Sequence, residues 1–253
     1  MKRILSQSQQ VEEYLKLEPG AFDHIPHYAR EASLSAILEV RALEEESLFR
    51  PGLYYIVLAD LCRSTETSLS LGTKLHTRRV ETFILQCVDA LGNIRLSNYS
   101  LFVREIGDAV LILFSSFEDV FAWWSTMEQW IATSNMLWRF ELTDEQYRHF
   151  IIEAKTVVHA GEVAYSEKKI PLSHAVNKTF KVEKIFSSGE LGCTQVAREA
   201  AAPVMKSLGL RPRKRGEILL PGERLPTSTY LVAKSSWHDL QRKKMKPRQR
   251  RLG

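Results

Sequence analysis

Beyond residue 50 the chain alternates between short apolar runs and longer stretches of helical period. Leu53-Tyr54-Tyr55-Ile56-Val57-Leu58-Ala59 is continuously apolar, rich in aromatic and β-branched residues, and meets Asp60. That is the composition of a buried strand ending in a carboxylate. Residues 65–91 carry a helical pattern that stops at Leu91-Gly92, which predicts one long helix. A strand pair follows between Ile94 and Leu113, its centre at Val103–Phe114: strand, tight turn at Gly107-Asp108, strand. Arg104, Ile106 and Asp108 share one side of this alternation and Glu105 the other. Phe117–Ser134 predicts a helix, Phe150–Val163 a strand, 174–187 and Gln195–Leu208 two more helices, and Thr227–Val232 a closing strand. Strands and helices so interleaved predict an α/β (α+β) plait, a sheet flanked by helices. The aromatics Phe117, Phe121, Trp123, Trp124 and Trp130 fall at helical spacing and are read as core, not as a stacking platform.

Residues 1–50 are expected to form a separate, helical and amphipathic extension, broken near Pro19-Gly20 and Pro26. The catalytic candidate is 51–234. Beyond 235 the chain is a basic tail, read as solvated and disordered. Seven positive charges and no acid lie in residues 242–253, so the preceding 241 residues sum to −2 although the whole chain is at +5. The basic balance belongs to the tail, and no nucleic-acid or membrane partner is expected of the body. Cys62, Cys87 and Cys193 are odd in number and widely spaced, which argues against a disulfide framework and makes no metal motif. The absence of a spanning apolar run and of an apolar leader core points to a cytoplasmic protein.

Chemistry enters at the strand ends. An Asp at the mouth of a hairpin is costly to bury alone. By itself Asp108 is a turn Asp satisfied by backbone amides. Asp60 is a second strand-end carboxylate, followed by Ser64 or Thr65 as the cap of a helix with Glu66 in its first turn. Two such carboxylates from neighbouring strands can hold a pair of divalent ions, and a helix start beside them offers free amides to phosphate.

The ordered motifs Ala59-Asp60-x-x-x-Ser64-Thr65, Ile106-Gly107-Asp108, His159-Ala160-Gly161-Glu162-Val163 and Ala175-Val176-Asn177 resemble the catalytic domain of class III nucleotidyl cyclases. The resemblance covers residues 52–233 and implies a palm-like, ferredoxin-like sheet. It also implies two divalent metal ions, Mn²⁺ or Mg²⁺, held by Asp60, Asp108 and the carbonyl of Leu61. Asn177 would orient the ribose. Lys181 stands where the family has an arginine, keeping the charge and losing the bidentate fork. Triphosphate contacts are expected from the amides of Leu61–Thr65 and from Arg63 or Ser64. The family's further triphosphate lysine is replaced by Pro221, with Arg224 as a substitute. In the family each site is shared between two subunits, so a homodimer is implied.

Base recognition departs from the adenylyl pattern. The family's lysine four residues before the second metal Asp is Arg104, and its Asp or Thr seven before the Asn is Ile170. Arg104 only donates and Ile170 does neither. A donor-only pocket leaves an adenine or guanine amine unpaired. Uracil, with two carbonyl acceptors, suits it best and cytosine next, with Leu58 lining the same pocket in place of a common Phe. The chain therefore resembles the bacterial pyrimidine cyclases of anti-phage signalling. They make cyclic UMP or cyclic CMP to activate a separate effector. UTP is the preferred substrate, with CTP, then ATP, then a non-catalytic nucleotide-binding pseudo-cyclase as alternatives.

Overall fold

The computed structural model describes residues 51–92, 102–165 and 171–235. The expectations for residues 1–50, for Ile170 and for the basic tail lie outside these residues. Strand β1 (Gly52–Leu61) runs between β3 (Ala109–Phe114) and β4 (Ala154–Tyr165), antiparallel to both. Strand β2 (Phe102–Ile106) pairs outside β3. On the other side β6 (Glu190–Thr194) runs parallel to β4, followed by β8 (Thr227–Lys234) and β7 (Arg213–Ile218). The order is β2-β3-β1-β4-β6-β8-β7, and the short β5 (Pro171–Leu172) pairs with β4. This is the predicted sheet flanked by helices.

The central position of β1 accounts for its unbroken apolar run. One face carries Val57, Ala59, Leu61, Val110, Ile112 and Phe114 into the main core. There they meet Phe83, Cys87, Trp123, Met127 and Phe150 from helices α1 (Ser64–Gly92), α2 (Phe117–Glu141) and α3 (Asp144–Phe150). Each such side chain contributes about 1.5–3 kcal/mol. Phe117, Trp123 and Trp124 are buried, as the helical spacing predicted, and the Trp123 indole donates to the Cys87 carbonyl at 2.8 Å. The opposite face carries Tyr54, Ile56, Leu58, Leu111 and Leu113. It is covered by helix α4 (His174–Val182) through Ala175, Val176 and Val182. The helix approaches β4 closely because residue 161 is glycine: a Cβ there would lie 2.4 Å from that of Ala175.

Several element bounds differ from the pattern. Helix α1 is broken at Gly72, whose φ of 70° leaves the helical region. Helix α2 runs on to Glu141. Phe150 ends α3, which a Thr143–Gln146 capping box starts, so β4 begins only at Ala154. The expected helix 174–187 ends at Val182 and tightens into a 3₁₀ turn, Glu183–Ile185. The stretch from Gln195 divides into α5 (Gln195–Ala200) and α6 (Ala202–Ser207), with Pro203 opening the second. Strand β7 escaped the pattern because its Arg-Lys-Arg-Gly start is that of an exposed sheet edge.

Candidate active site

Strand register brings the backbones of Asp60 and Asp108 to neighbouring positions. Asp60 pairs with Ala109, the first residue of β3, and the amide of Leu61 donates to the Asp108 carbonyl at 3.2 Å. Asp108 sits in a two-residue turn whose first position, Gly107, has φ 65°, the left-handed geometry that glycine supplies without strain. Directly paired residues share a face of the sheet. Ile106, Ala109, Asp60 and Lys155 therefore form one cross-strand row, and Arg104, Leu111, Leu58 and Val157 the next. Arg104 is exposed at the edge of its row. Leu58 is buried among Ala109, Val157, Val182, Phe186 and Leu220.

The row adds a residue that the motifs did not single out. Lys155 Nζ lies 3.2 Å from Asp60 Oδ2 and also contacts Glu183 Oε1. Glu183 is buried at the end of α4. Burial and then the Glu183 carboxyl raise the pKa of Asp60 to about 7, against the lowering effect of Lys155. Burial opposes charge on Lys155, but the Glu183 and Asp60 carboxylates outweigh it and hold its pKa above the usual lysine value. The signal was present in the sequence. A lysine inside the apolar run Ile151–Val158 needs a partner, and alternation puts it on the side of His159, not of the main core.

Beyond Asp60 the chain turns sharply. The Cys62 amide donates to the Glu153 carbonyl at 2.8 Å, and Arg63 takes a φ of 59°. The Thr67 amide closes the first helical bond onto the Arg63 carbonyl at 2.9 Å. Arg63 is therefore the cap residue, and the expectation that Ser64 or Thr65 caps the helix is corrected: the helix begins at Ser64. The amides of Leu61 and Cys62 are already paired, so they leave the expected phosphate-binding set. The free donors are the first four of the helix, on Arg63, Ser64, Thr65 and Glu66. Of these, Ser64 and Thr65 line an opening of about 470 Å³, together with Ser68, His76, Gly107 and Asp108. The Arg63 guanidinium pairs with Glu153 at 2.8 Å while staying half exposed.

Asn177 and Lys181 are exposed on α4, and Lys181 Nζ donates to the Pro221 carbonyl at 3.3 Å. Lys181 and Glu183 are two residues apart, on opposite sides of the helix. Glu183 contacts Lys155 beside Asp60, whereas Lys181 is exposed and bonds the Pro221 carbonyl. Within one chain, then, the two predicted sets of site residues do not converge. Arg224 is exposed near the same loop. A larger opening, about 840 Å³, lies at the other end of β1, beside Gly52, Ser173 and Lys178, and contains none of the predicted residues.

His159 belongs to the fold, not to the carboxylate cluster. It is buried in β4, and its Nδ1 shares a 2.7 Å hydrogen bond with the Thr194 hydroxyl. Burial and the Lys178 charge pull its pKa down to about 4. The unfolded chain, with histidine near 6.5, therefore binds more protons between these values, and stability falls as pH drops through that window. Urea midpoints should show His159 costing about 2 kcal/mol between pH 7 and pH 5 and about 3 kcal/mol by pH 4, a loss absent from His159→Gln. An unchanged acid slope in that variant would assign the titration elsewhere.

Among the described residues no three His, Cys, Asp or Glu side chains converge as a metal-holding group. Two carboxylates with the Leu61 carbonyl are hard oxygen donors too few for a closed cage. They suit a small divalent ion whose remaining ligands are water and substrate phosphate.

No family model matches the chain, and no curated protein matches it. Solved structures do. An adenylyl cyclase, CyaB from P. aeruginosa, superposes with a TM-score of 0.57 at 16% identity, over 74% of this chain and 96% of that one. The guanylyl cyclase Cya2 gives 0.54 at 19% identity, over 73% and 93%. The guanylate cyclase domain of RhGC from Catenaria anguillulae, in complex with GTP, gives 0.53 at 12% identity, over 72% and 96%. The fold is that of the class III cyclase catalytic domain.

Proposed function

We propose that the chain is a nucleotidyl cyclase that converts UTP to 3′,5′-cyclic UMP and pyrophosphate. The observation that carries this reading is the register that sets Asp60 opposite Ala109 and ties Leu61 to the Asp108 carbonyl, beside a helix start with four free amides. Bound there, two divalent ions, Mn²⁺ or Mg²⁺, would lower the pKa of the ribose 3′-hydroxyl and neutralise the α-phosphate and the leaving group. Asp60, Asp108 and the Leu61 carbonyl would hold them. The amides of Arg63–Glu66 face the triphosphate, with the Ser64 hydroxyl beside them. Lys155, already beside Asp60, supplies a cation to the same phosphates.

Asn177 and Lys181 point away from their own Asp60, so they orient the ribose and stabilise α-phosphate charge in the site of a partner subunit. A homodimer with two shared sites follows. Arg104, exposed one row from Asp60, reads the base as a donor, which favours the uracil carbonyls over purine amines. Cytidine is the next-best base. Adenine recognition by a relaxed pocket and nucleotide binding without turnover are the remaining alternatives. The product would act as a second messenger on a separate cyclic-nucleotide-activated effector, in defence against phage.

The test is turnover of the purified full-length protein with Mn²⁺ and each of ATP, GTP, CTP and UTP in separate reactions. Products are resolved by mass, with Asp60→Ala as the blank. UTP should give the dominant cyclic product, by about tenfold or more over either purine, the size of one unpaired buried amine. Cyclic AMP as the main product would overturn the reading of Arg104. No product from any of the four would leave nucleotide binding without catalysis.

A further inference from the structure

Arg79 has no part in the chemistry above, yet it is fully buried beneath it. Its hydrogen bonds go to backbone carbonyls and one hydroxyl. Nε donates to Phe150 at 3.1 Å and to Ile151 at 3.2 Å. Nη2 donates to Ile151 at 3.0 Å and to Cys62 at 2.8 Å, and Nη1 to the Thr67 hydroxyl at 3.2 Å. A buried guanidinium held by carbonyls is a costly way to build a core. Its reach is also unusual. Thr67 and Arg79 are twelve residues apart on α1, about 18 Å along an unbroken helix. The break at Gly72 folds the second part of the helix back so that Arg79 lies under the start of the first.

What Arg79 holds is the turn at Arg63. The peptide planes on either side of that residue set its φ and ψ. The Cys62 carbonyl is held by Arg79 directly. The Arg63 carbonyl accepts from both the Thr67 amide and the Thr67 hydroxyl at 2.9 Å; that hydroxyl, also 3.0 Å from the Ser64 carbonyl, is itself anchored on Arg79. Both planes are thus fixed, and Arg63 stays at φ 59°, a conformation that costs a non-glycine residue energy unless its surroundings impose it. In a trans peptide the N–H points opposite to the C=O. Carbonyls turned down onto Arg79 and Thr67 therefore turn the amides of Arg63 and Ser64 up and outward, the backbone arrangement that receives anions.

The geometry points to Arg79 as the positioning residue of the triphosphate-binding turn: through Cys62 and Thr67 it fixes Arg63 in the left-handed conformation that aims the amides of the α1 start at phosphate. This rests on the cyclase reading. Arg79→Lys keeps the charge and loses the fork; Thr67→Val removes the relay and leaves Arg79 in place. Binding of inorganic tripolyphosphate with Mn²⁺ is followed by calorimetry on the full chain, alongside steady-state turnover and thermal unfolding. Arg79→Lys should weaken tripolyphosphate binding at least tenfold and raise KM more than it lowers kcat. Thr67→Val should do the same by about threefold to tenfold. The decisive arm is Arg63→Gly. It weakens the otherwise unchanged protein by removing the Glu153 pair, but should improve binding about fivefold in the Arg79→Lys background, because glycine takes φ 59° unaided. If Arg63→Gly adds its loss in both backgrounds, or if Thr67→Val and Arg79→Lys bind tripolyphosphate as the unmodified chain does, the role falls. Should Arg79→Lys not fold, the Thr67→Val and Thr67→Val/Arg63→Gly pair decides in the same way. An unmodified chain that neither binds tripolyphosphate nor turns over any nucleotide would instead remove the cyclase reading.

Discussion

Asp60→Asn should abolish turnover, by about 1,000-fold or more, while leaving the protein at least as stable as before. Loss of one metal-holding carboxylate removes an anion that must offset divalent charge at the reacting phosphate, and 1,000-fold corresponds to about 4 kcal/mol of transition-state stabilisation. The stability side follows from the environment of Asp60. Burial and the neighbouring Glu183 already disfavour its ionised form in the folded chain, lifting its pKa to about 7. An amide of the same shape removes that penalty and leaves Lys155 its contact with Glu183. Thermal unfolding and turnover measured on one preparation therefore separate: activity vanishes and the unfolding temperature holds or rises. Activity within tenfold of the unmodified chain would remove Asp60 from the chemistry. A lowered unfolding temperature would show that the carboxylate supports the fold.

The second large effect is a recovery. Asp60→Ala and Asn177→Ala chains should each be inactive alone, and regain activity when unfolded together and refolded as a mixture. The reason is the direction in which α4 presents its residues. Glu183 meets Lys155 of its own chain, while Asn177 and Lys181 are exposed and Lys181 bonds the Pro221 carbonyl. On the proposed shared-site reading, Asn177 and Lys181 serve the Asp60 of another copy. Each mixed dimer then holds one site with both residues intact and one with neither. Random pairing from equal amounts yields about one quarter of the unmodified activity, half the dimers having one of two sites. A mixture as inactive as its components would place every catalytic residue of a site on one chain.

The sequence made some features legible and hid others for definite reasons. Strands β1 and β3 were readable because both are covered on two faces and so are apolar throughout. The Gly107-Asp108 turn was readable because only glycine takes its first position freely. Asp60 and Asp108 became a pair only through register, since Ala109 and the Leu61 amide bring them together across strands far apart in sequence. Lys155 lay in plain view but was absorbed into a strand pattern. Its meaning depends on Asp60 beside it and on Glu183, which a helix delivers from elsewhere in the chain. Arg79 was illegible in a stronger sense. Its spacing with Phe83 and Cys87 puts it on the buried face, but only the fold-back at Gly72 brings Thr67 and the Arg63 turn within its reach. The cap was misassigned for a related reason: serine and threonine are the usual caps, and here a strained arginine holds that place because tertiary bonds impose its conformation.

The bond from the Leu61 amide to the Asp108 carbonyl carries a consequence for control. It joins the end of β1 to the β2–β3 turn by main chain, so the spacing of the Asp60 and Asp108 backbones is set by sheet pairing. Their separation cannot be tuned by small loop movements without breaking sheet pairing, which is cooperative and costly. An on–off signal acting on such a protein has no leverage over this half of the site, which stands ready whenever the chain is folded. On the proposed shared-site reading, leverage lies in supply: whether a second chain docks, and in what orientation it delivers Asn177 and Lys181. Activity would then follow protein concentration and assembly, as a circuit closes when its two ends meet.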